Sequence, residues 1–397
     1  MGGTAGQPLH VVDTTMFWSA TGGGVRRYLR TKHAWLARQP GWRHTIAVPT
    51  DHRPQADDVV SLPALPIPWS GGYRFPWRRA VVARRLADLE PDLIEAGDPF
   101  VTGWAALDAA RRRDVPALAY CHSNVERMAA LLAGRAFAPA ATRAARALAR
   151  RIYARFDRVL APSRSMARHL EDWGVPRIAV QPLGVDTTVF HPACRSRTWR
   201  RAHGFQDADR VLVYAGRFAP EKHLDLLATA VDRLGPPYTL LAIGAGPMPP
   251  RGTRVRVLPF ERDERDLAMA LASADLFVHA GDQETFGLSL LEAMACGLPI
   301  VARQAEGLAE LVDDNVGAGV ERNDAALYAE AIRAVFDDGG RARASTARAR
   351  AERHDWSQVL TRLLVHYREL LGTRVASAPA SGPRGGPHAG AQATPTP

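Results

Sequence analysis

The sequence has few residues that form covalent or metal crosslinks. Only three of its 397 residues are cysteines, and these are odd in number, far apart and without CxxC spacing. They are Cys121, Cys194 and Cys296. This pattern argues against a disulfide framework and against a zinc site, so we expect three reduced thiols.

Long apolar runs and targeting signals are also missing. No stretch reaches the about 18 consecutive apolar residues of a membrane-spanning helix. The N-terminal segment MGGTAGQPLH lacks the charged and apolar regions of a signal peptide, and Gly6 stands where a myristoylation signal needs Ser or Thr. The sequence therefore predicts a cytoplasmic protein without a lipid anchor.

The chain almost lacks lysine, although it is strongly basic. Its net charge is +10 at pH 7, and arginine supplies nearly all the positive charge because Lys32 and Lys222 are the only lysines. Such a charge favours anionic partners, which include nucleotide sugars, acidic membrane surfaces and nucleic acid, and it does not choose among them. A lysine in this chain is an exception and marks a position of interest.

Several signature motifs are absent as well. The chain contains no HExxH, GxSxG or GxxxxGKS/T motif. The G-x-G formed by Gly244 and Gly246 is followed by Pro249 where the dinucleotide fingerprint has its third glycine. A nicotinamide or flavin site is therefore not expected.

The order of predicted elements indicates an α/β protein with two domains. Strand-like runs alternate with helical patterns over residues 8–187 and again over 210–355, which predicts two doubly wound parallel sheets facing each other across a cleft. Residues 188–209 are predicted to be a linker, 356–371 a last helix, and the Pro-, Gly- and Ala-rich residues 372–397 a disordered tail. The predicted strands are LHVVDTT, HTIAVP, DLIEA, ALAYC and RVLAPS in the first domain and VLVYAG, YTLLAIG, VRVLPF, DLFVHA and LPIVA in the second.

The segment GRFAPEK, which carries Arg217 and Lys222, follows the predicted strand VLVYAG. Ligands bind open α/β sheets beyond the carboxyl ends of the strands, so this segment lies where a ligand is expected. A guanidinium, an ammonium and the N–H groups of the next helix suit a diphosphate, and they would stabilise its charge as a leaving group. The alternative is a solvated loop in which Glu221 pairs with a neighbour. The rare lysine favours the first interpretation.

The strongest stretch is HAGDQETFGLSLLEAMACGLPIVA, in which Glu284 and Glu292 are eight residues apart. In a continuous helix that spacing leaves an azimuth difference of about 80°, so both carboxylates can face a cleft and accept hydrogen bonds from hydroxyls. Gly287 permits close approach of a ligand, and the N–H groups of Phe286, Gly287 and Leu288 form a donor-rich helix start. The alternative makes Glu284 a helix-start carboxylate favoured by the dipole and Glu292 an exposed residue.

The first domain offers weaker signals. Gly22, Gly23 and Gly24 lie between a strand and a helix, where they form either a phosphate cradle or a flexible turn. His122 follows the strand ALAYC, and a histidine in that position is either structural or functional.

The first domain is also predicted to carry a basic surface. Seven arginines and one acidic residue lie between Arg135 and Arg158, and YRFPWRR occupies residues 73–79. Such an aromatic-flanked surface can meet anionic lipid headgroups. A solvated arginine-rich face is the simpler alternative.

Taken together, these residues resemble the retaining glycosyltransferases of family 4. The resemblance covers nearly the whole chain, and its specific motif is E-x7-E, here Glu284 to Glu292 within ETFGLSLLEAMACG, with GRFAPEK and PLGVD as supporting landmarks. It implies the GT-B architecture of two facing Rossmann-like domains, with the last helix returning to the first domain. Two features depart from the pattern: Thr285 stands where the family often has glycine, and Val25 and Arg26 replace a common Ala-Glu pair.

The resemblance also implies roles for individual residues. It places Gly23 and Gly24 over the donor phosphates, Arg217 and Lys222 at the diphosphate, His122 and Glu284 at the sugar, and Glu292 at the ribose. The residues expected to act in catalysis are His122, Arg217, Lys222 and Glu284.

The implied reaction moves a hexose from a nucleotide-diphosphate sugar, such as GDP-mannose or a UDP-sugar, to a glycan or glycolipid acceptor with retention of configuration. It requires no metal or other cofactor, and we expect no nucleic-acid partner. The basic surface makes the inner face of the plasma membrane a candidate location. The alternatives are a noncatalytic nucleotide- or lipid-binding protein of the same architecture and a sugar-nucleotide epimerase, which lacks the E-x7-E arrangement. The sequence indicates no oligomeric state.

Overall fold

The computed structural model describes residues 7–19, 23–50, 59–68, 70, 72–261, 263–338 and 340–377. Gly22 and residues 378–397, which make up most of the predicted tail, lie outside the described residues. Among the described residues, no helix combines the length and the apolar character needed to cross a membrane.

The first domain is a parallel sheet flanked by helices. Its strands are β1 (Leu9–Thr14), β2 (Trp42–Pro49), β3 (Val59–Leu62), β4 (Leu65–Pro66), β5 (Arg74–Phe75), β6 (Leu93–Ala96), β7 (Ala117–Tyr120), β8 (Arg158–Ala161) and β9 (Ile178–Val180). Its helices are α1 (Gly24–Leu36), α2 (Arg79–Ala87), α3 (Val101–Arg113), α4 (Val125–Tyr153), which is interrupted at Gly134, and α5 (Arg164–Asp172). Within the described chain the sheet has the order β3-β2-β1-β6-β7-β8-β9, and β4 pairs with β5.

The second domain repeats this construction. Its strands are β10 (Arg210–Arg217), β11 (Tyr238–Ala245), β12 (Val255–Leu258), β13 (Leu276–His279), β14 (Ile300–Arg303) and β15 (Gly317–Val320). The helices of this half are α6 (Arg197–Ala202), α7 (Leu224–Leu234), α8 (Glu264–Ala272), α9 (Leu288–Ala295), α10 (Ala325–Asp337), α11 (Arg341–Glu352) and α12 (Trp356–Ser377). In the described residues the sheet order is β12-β11-β10-β13-β14-β15.

The sequence explains why these strands pair in parallel and lie inside. All four residues of β6, β7 and β13 are buried, as expected for parallel strands that helices cover on both faces. The registers are regular: Val12 lies opposite Thr45 of β2 and Ile94 of β6. The predicted α/β class, with two doubly wound sheets, is therefore confirmed, and each predicted strand run contains a strand.

Two predicted boundaries need correction. The linker 188–209 is not a plain connection, because it contains α6, and Arg200 of this helix binds Asp275 Oδ2 at 3.0 Å and the Ser273 carbonyl at 2.9 Å. The last helix continues past residue 371 to Ser377. A glycine inside a helix costs only about 1 kcal/mol, so Gly372 does not end this one.

The last helix crosses to the first domain and enters a buried polar cluster there. Lys32 binds Asp13 Oδ2 at 2.5 Å and Glu95 Oε1 at 2.9 Å, and Tyr367 of α12 donates to Glu95 Oε2 at 2.6 Å. Lys32 also donates to the Tyr367 hydroxyl at 3.0 Å, and Tyr28 donates to Glu95 Oε1 at 2.8 Å. The helix is thus fixed to α1 and β6 by charge-assisted hydrogen bonds as well as by apolar packing, and Lys32 connects this cluster to β1.

Candidate active site

Each of the two sheets has a switch point, which is the place where the chain connections on the two sides run in opposite directions along the sheet. In the second sheet this point lies between β10 and β13, which are neighbours although they are distant in sequence. Ligands of doubly wound sheets bind in the crevice that opens at such a point. The loops after β10 and β13 carry Lys222 and Glu284, so the topology brings two predicted site residues into one crevice.

Lys222 and Glu284 form an ion pair through Nζ and Oε1. His279, the last residue of β13, places Nε2 3.3 Å from the same oxygen. Gly281 is required between them: a Cβ there would lie 2.7 Å from His279 Cε1 and 3.2 Å from Lys222 Cδ. The second carboxylate oxygen, Oε2, has no protein partner in the described part of the chain, so it can accept a hydrogen bond from a ligand.

The electrostatics keep this carboxylate charged. Burial by itself would raise the pKa of Glu284, but the Lys222 ammonium and the His279 hydrogen bond hold that pKa well below its ordinary value. Burial lowers the pKa of His279, so its imidazole is neutral near pH 7. The cluster is therefore a cation and a carboxylate beside a neutral imidazole, which suits a bound phosphate on one side and sugar hydroxyls on the other.

Glu284 and Glu292 do not lie on one continuous helix, so the helical spacing does not relate the directions of their side chains. Helix α9 begins at Leu288, after Gly287 with φ +101°, and Glu284 lies in the preceding loop, where its carbonyl accepts from the Gly307 N–H at 2.9 Å. Gly287 adopts a left-handed conformation that sets the start of the helix, so the 3.6-residue period cannot be counted back to Glu284.

The start of α9 offers backbone donors. Within the described residues no side chain caps this helix, so the N–H groups of its first turn remain available. The ring of Phe286, by contrast, is buried against the second domain and lies 5.9 Å from His354 between ring centres. It lines an interdomain cavity of about 460 Å³ together with Arg164 and Arg353.

Glu292 is buried on α9 and forms an ion pair with Arg27 of α1. Arg27 also binds Glu264 Oε1 at 2.9 Å through Nε. The carboxylate predicted to meet the donor ribose thus contacts an arginine of the opposite domain.

Arg217 ends β10 with its side chain 75% exposed, and it binds Glu221 Oε1 at 3.1 Å. It lies just before the loop that carries Lys222 but does not join the contact between Lys222 and Glu284.

The first domain faces this crevice with its glycine loop. Gly23 is exposed and precedes α1, and in the described structure no side chain caps this helix. A Cβ on Gly24 would lie 2.6 Å from Leu288 Cδ1 of the second domain. The start of α1 therefore lies against the start of α9, and the glycine permits this close approach.

His122 also lies at the domain boundary. Its ring stacks on Tyr120 at 4.3 Å between centroids, and its carbonyl accepts from Thr285 Oγ1 of the second domain at 3.1 Å. Burial, with the charge of Lys32, lowers the pKa of His122 to about 3. The imidazole is therefore neutral near pH 7 and can both donate and accept a hydrogen bond.

Comparison with known proteins assigns the family. The model of Glycosyltransferase Family 4 matches residues 22–189, and that of Glycosyl transferases group 1 matches residues 195–353. A GDP-mannose-dependent alpha-(1-6)-phosphatidylinositol dimannoside mannosyltransferase of Mycobacterium tuberculosis is 30% identical over 380 residues, which cover 90% of this chain and 95% of that protein. The chain belongs to glycosyltransferase family 4.

Further relatives agree with this family 4 assignment. A GDP-mannose-dependent alpha-mannosyltransferase of Mycolicibacterium smegmatis is 33% identical over 297 residues, covering 73% of this chain and 76% of that protein. Among solved structures, sucrose-phosphate synthase from Thermosynechococcus elongatus superposes with a TM-score of 0.76 at 19% identity, covering 92% of this chain and all of that one. Anabaena HepE in complex with UDP and glucose gives 0.69 at 20% identity, with 92% and 99% covered. These likenesses confirm the GT-B fold.

Sequence reasoning missed two residues that the structure places against predicted site residues, His279 beside Glu284 and Arg27 beside Glu292. His279 carried a signal like that of His122, since it is the penultimate residue of the predicted strand DLFVHA, but it was not among the predicted site residues. Arg27 follows the glycine loop on α1, and its ion pair with Glu292 depends on how the two domains face each other. Strand-end position could have found His279, whereas no local pattern reveals Arg27.

Proposed function

We propose that this family 4 glycosyltransferase moves a hexose from a nucleotide-diphosphate sugar to a glycolipid acceptor with retention of configuration. The observation that carries the proposal is the cluster of Lys222, Glu284 and His279 at the switch point of the second sheet. It combines a buried cation with an ionised carboxylate that has an unoccupied oxygen.

The donor diphosphate lies, in this proposal, between the two domains. Lys222 and Arg217 supply positive charge, and the uncapped starts of α1 at Gly23 and α9 at Gly287 supply N–H groups. Such preorganised donors stabilise the charge that develops as the nucleotide diphosphate leaves. The reaction then depends on positioning and electrostatic stabilisation, with no metal required.

The transferred sugar is assigned to Glu284 and His122. The free Oε2 of Glu284 accepts from sugar hydroxyls, and the neutral His122 imidazole contributes a donor and an acceptor beside the sugar. Glu292 accepts from the ribose hydroxyls. Departure of the diphosphate and attack of the acceptor occur on the same face of the sugar.

GDP-mannose is the donor that the relatives favour. The two mannosyltransferases compared above are both described as GDP-mannose-dependent, and a UDP-sugar is the second candidate. A thermal-shift screen of GDP, UDP and ADP tests this directly. We expect GDP to raise the melting temperature most, because a ligand stabilises the state that binds it by mass action.

The acceptor side is assigned to a lipid surface. Helix α4 exposes Leu132 and Phe137 at 81% and 71%, and Arg143 of the same helix is exposed as well. Arg78 covers the exposed Trp77 ring at 4.2 Å. Exposed apolar side chains among arginines suit an anionic interface, and we propose a peripheral location on the cytoplasmic membrane face. The wild-type chain should float with phosphatidylinositol-containing vesicles but not with neutral ones. A Leu132→Ser/Phe137→Ser variant should float less with the phosphatidylinositol-containing vesicles. Equal flotation of the variant and the wild type would contradict the assignment of a lipid surface.

The alternative of a noncatalytic nucleotide-binding protein makes a different prediction. Such a protein would bind a nucleoside diphosphate and leave the donor intact. Transfer or hydrolysis of GDP-mannose by the wild type, followed by release of GDP, separates the two.

A further inference from the structure

Arg27 connects the two domains at the carboxylate assigned to the donor ribose. It lies in the first turns of α1, three residues after Gly24, and reaches two carboxylates of the second domain. One is Glu292 on α9, bound through Nη1, and the other is Glu264 at the start of α8, bound through Nε at 2.9 Å. The guanidinium also lies 5.9 Å from the centre of the Phe190 ring.

The contact occupies only half of the Glu292 carboxylate. Arg27 binds Oε1, and Oε2 has no protein partner among the described residues. Glu292 itself is buried within the apolar face of α9, where an unpaired carboxylate would be strongly disfavoured. The arginine therefore supplies the charge that allows an ionised carboxylate to remain at this position.

The planar guanidinium also fixes orientation. Because Glu264 holds Nε while Glu292 takes Nη1, the side chain of Arg27 is held at two points and cannot rotate freely. The contact from Nη1 then anchors Oε1 of Glu292 and leaves Oε2 for a ligand.

We propose that Arg27 is a positioning residue for the donor ribose: it bridges the cleft to Glu292, keeps that carboxylate charged and oriented, and leaves Oε2 for the ribose hydroxyls. This inference rests on the proposed role of Glu292 toward the donor. It assigns to α1 a part in donor binding that is separate from the backbone contacts of the glycine loop.

The test measures the dissociation constants of GDP and of 2′,3′-dideoxy-GDP for the wild type, Arg27→Gln, Arg27→Lys and Arg38→Gln. Arg38 is an exposed arginine just after the end of α1 and provides the matched control. We expect Arg27→Gln to weaken GDP binding about tenfold, as for loss of a charge-assisted contact. The same substitution should change the affinity for dideoxy-GDP by less than about twofold, since that nucleotide lacks the hydroxyls that Glu292 would bind. Arg38→Gln should leave both values unchanged, and Arg27→Lys should recover part of the loss.

Other results would overturn the proposal. Tighter GDP binding by Arg27→Gln would mean that Arg27 competes with ribose for Glu292. Equal weakening for both nucleotides would place its effect on the phosphates or on domain closure, and no change would leave Arg27 without a role in binding.

Two further measurements keep the test decisive. If Arg27→Gln does not fold, as judged by circular dichroism, Glu264→Gln is used instead. We expect this variant to lose about threefold in affinity for GDP and none for dideoxy-GDP. Equal losses of affinity for the two nucleotides would overturn the proposal here too. If the wild type binds none of GDP, UDP and ADP, the proposed donor site itself fails, which is distinct from failure of the Arg27 assignment. If UDP or ADP binds instead, its dideoxy analogue replaces dideoxy-GDP.

Discussion

At the scale of single residues, the start of α9 depends on one glycine. Gly287 has φ +101°, and a Cβ there would lie 2.7 Å from Leu308 Cδ2. We expect Gly287→Ala to lower the free energy of unfolding by about 1–2 kcal/mol, because an L-residue is strained in this conformation. Urea unfolding measures this.

The matched control is Gly372→Ala in α12. Gly372 is exposed, and a Cβ added there would meet no neighbouring side chain within 4 Å, so alanine should raise stability by about 0.4–1 kcal/mol. If both variants change stability alike, the special role of Gly287 is contradicted.

His122 predicts a pH dependence of stability. Its pKa is lowered to about 3 by burial and by Lys32, whereas in the unfolded chain a histidine titrates near 6.5. Between these values the unfolded state binds the additional proton, so stability falls as the pH is lowered below about 6.5, by up to about 1.4 kcal/mol per pH unit for this one group.

The measurement compares urea unfolding of the wild type and His122→Gln at pH 7, 6 and 5. The variant should lose less stability between pH 7 and pH 5 than the wild type. Burial also lowers the pKa values of His44 and His279. Both residues are present in the wild type and in the variant, so they contribute the same direction of pH dependence of stability to each. Parallel curves would show that His122 does not titrate as described.

Single site residues could be predicted from the sequence where their residue type is rare in the rest of the chain. Lys222 stood out because lysine is rare here, and the structure places it against Glu284. Glu292 was assigned from the motif, but its partner Arg27 lies 265 positions away and in the other domain. An ion pair of that kind is set by tertiary packing, so one sequence without its fold does not reveal it.

At the scale of elements, α12 is held to the first domain by a buried hydroxyl. Tyr367 donates to Glu95 Oε2 and accepts from Lys32. Tyr367→Phe should lower the free energy of unfolding by about 1–3 kcal/mol, because both buried charged groups lose a hydrogen-bond partner. Denaturant unfolding at pH 7 checks this.

Tyr73→Phe serves as the comparison, since Tyr73 is only half-buried. We expect it to stay within about 0.5 kcal/mol of the wild type. A Tyr367→Phe variant as stable as this control would show that the polar cluster does not hold the helix.

The elements that the sequence failed to predict are short or rich in glycine. Strand β15 reads GAGV, which resembles a loop, yet it pairs with β14 because Gly317 allows its backbone to approach Ile300 closely: a Cβ there would lie 1.7 Å from the Ile300 oxygen. Strand β9 has three residues and lies at the sheet edge. Of the ten predicted apolar runs, all but β12 form strands with mostly buried residues, and burial on both faces leaves a continuous apolar signal.

At the scale of the whole molecule, the two domains meet through specific polar contacts. Glu310 of the second domain accepts from the backbone N–H groups of Arg164 and Ser165 at 3.0 and 2.6 Å, and Glu306 lies 3.0 Å from His169 Nε2. Together with the Arg27 contact to Glu292, these polar contacts join the two domains. The family resemblance predicted two facing domains, while the residues that join them became visible only in the structure.

The central claim is that Glu284 acts on the transferred sugar at a donor site formed with Lys222. The most direct test is the rate of mannosyl transfer or hydrolysis from GDP-mannose by the wild type, Glu284→Gln and Glu321→Gln, an exposed glutamate of the same domain. Each variant's dissociation constant for GDP is measured in parallel.

We expect Glu284→Gln to lower kcat/KM by about 100-fold or more, because a charged acceptor for the sugar is lost. Its affinity for GDP, which lacks the sugar, should change by less than about threefold, and Glu321→Gln should behave as the wild type. A Glu284→Gln variant that transfers at the wild-type rate from GDP-mannose, or from whichever donor the wild type uses, would contradict the account.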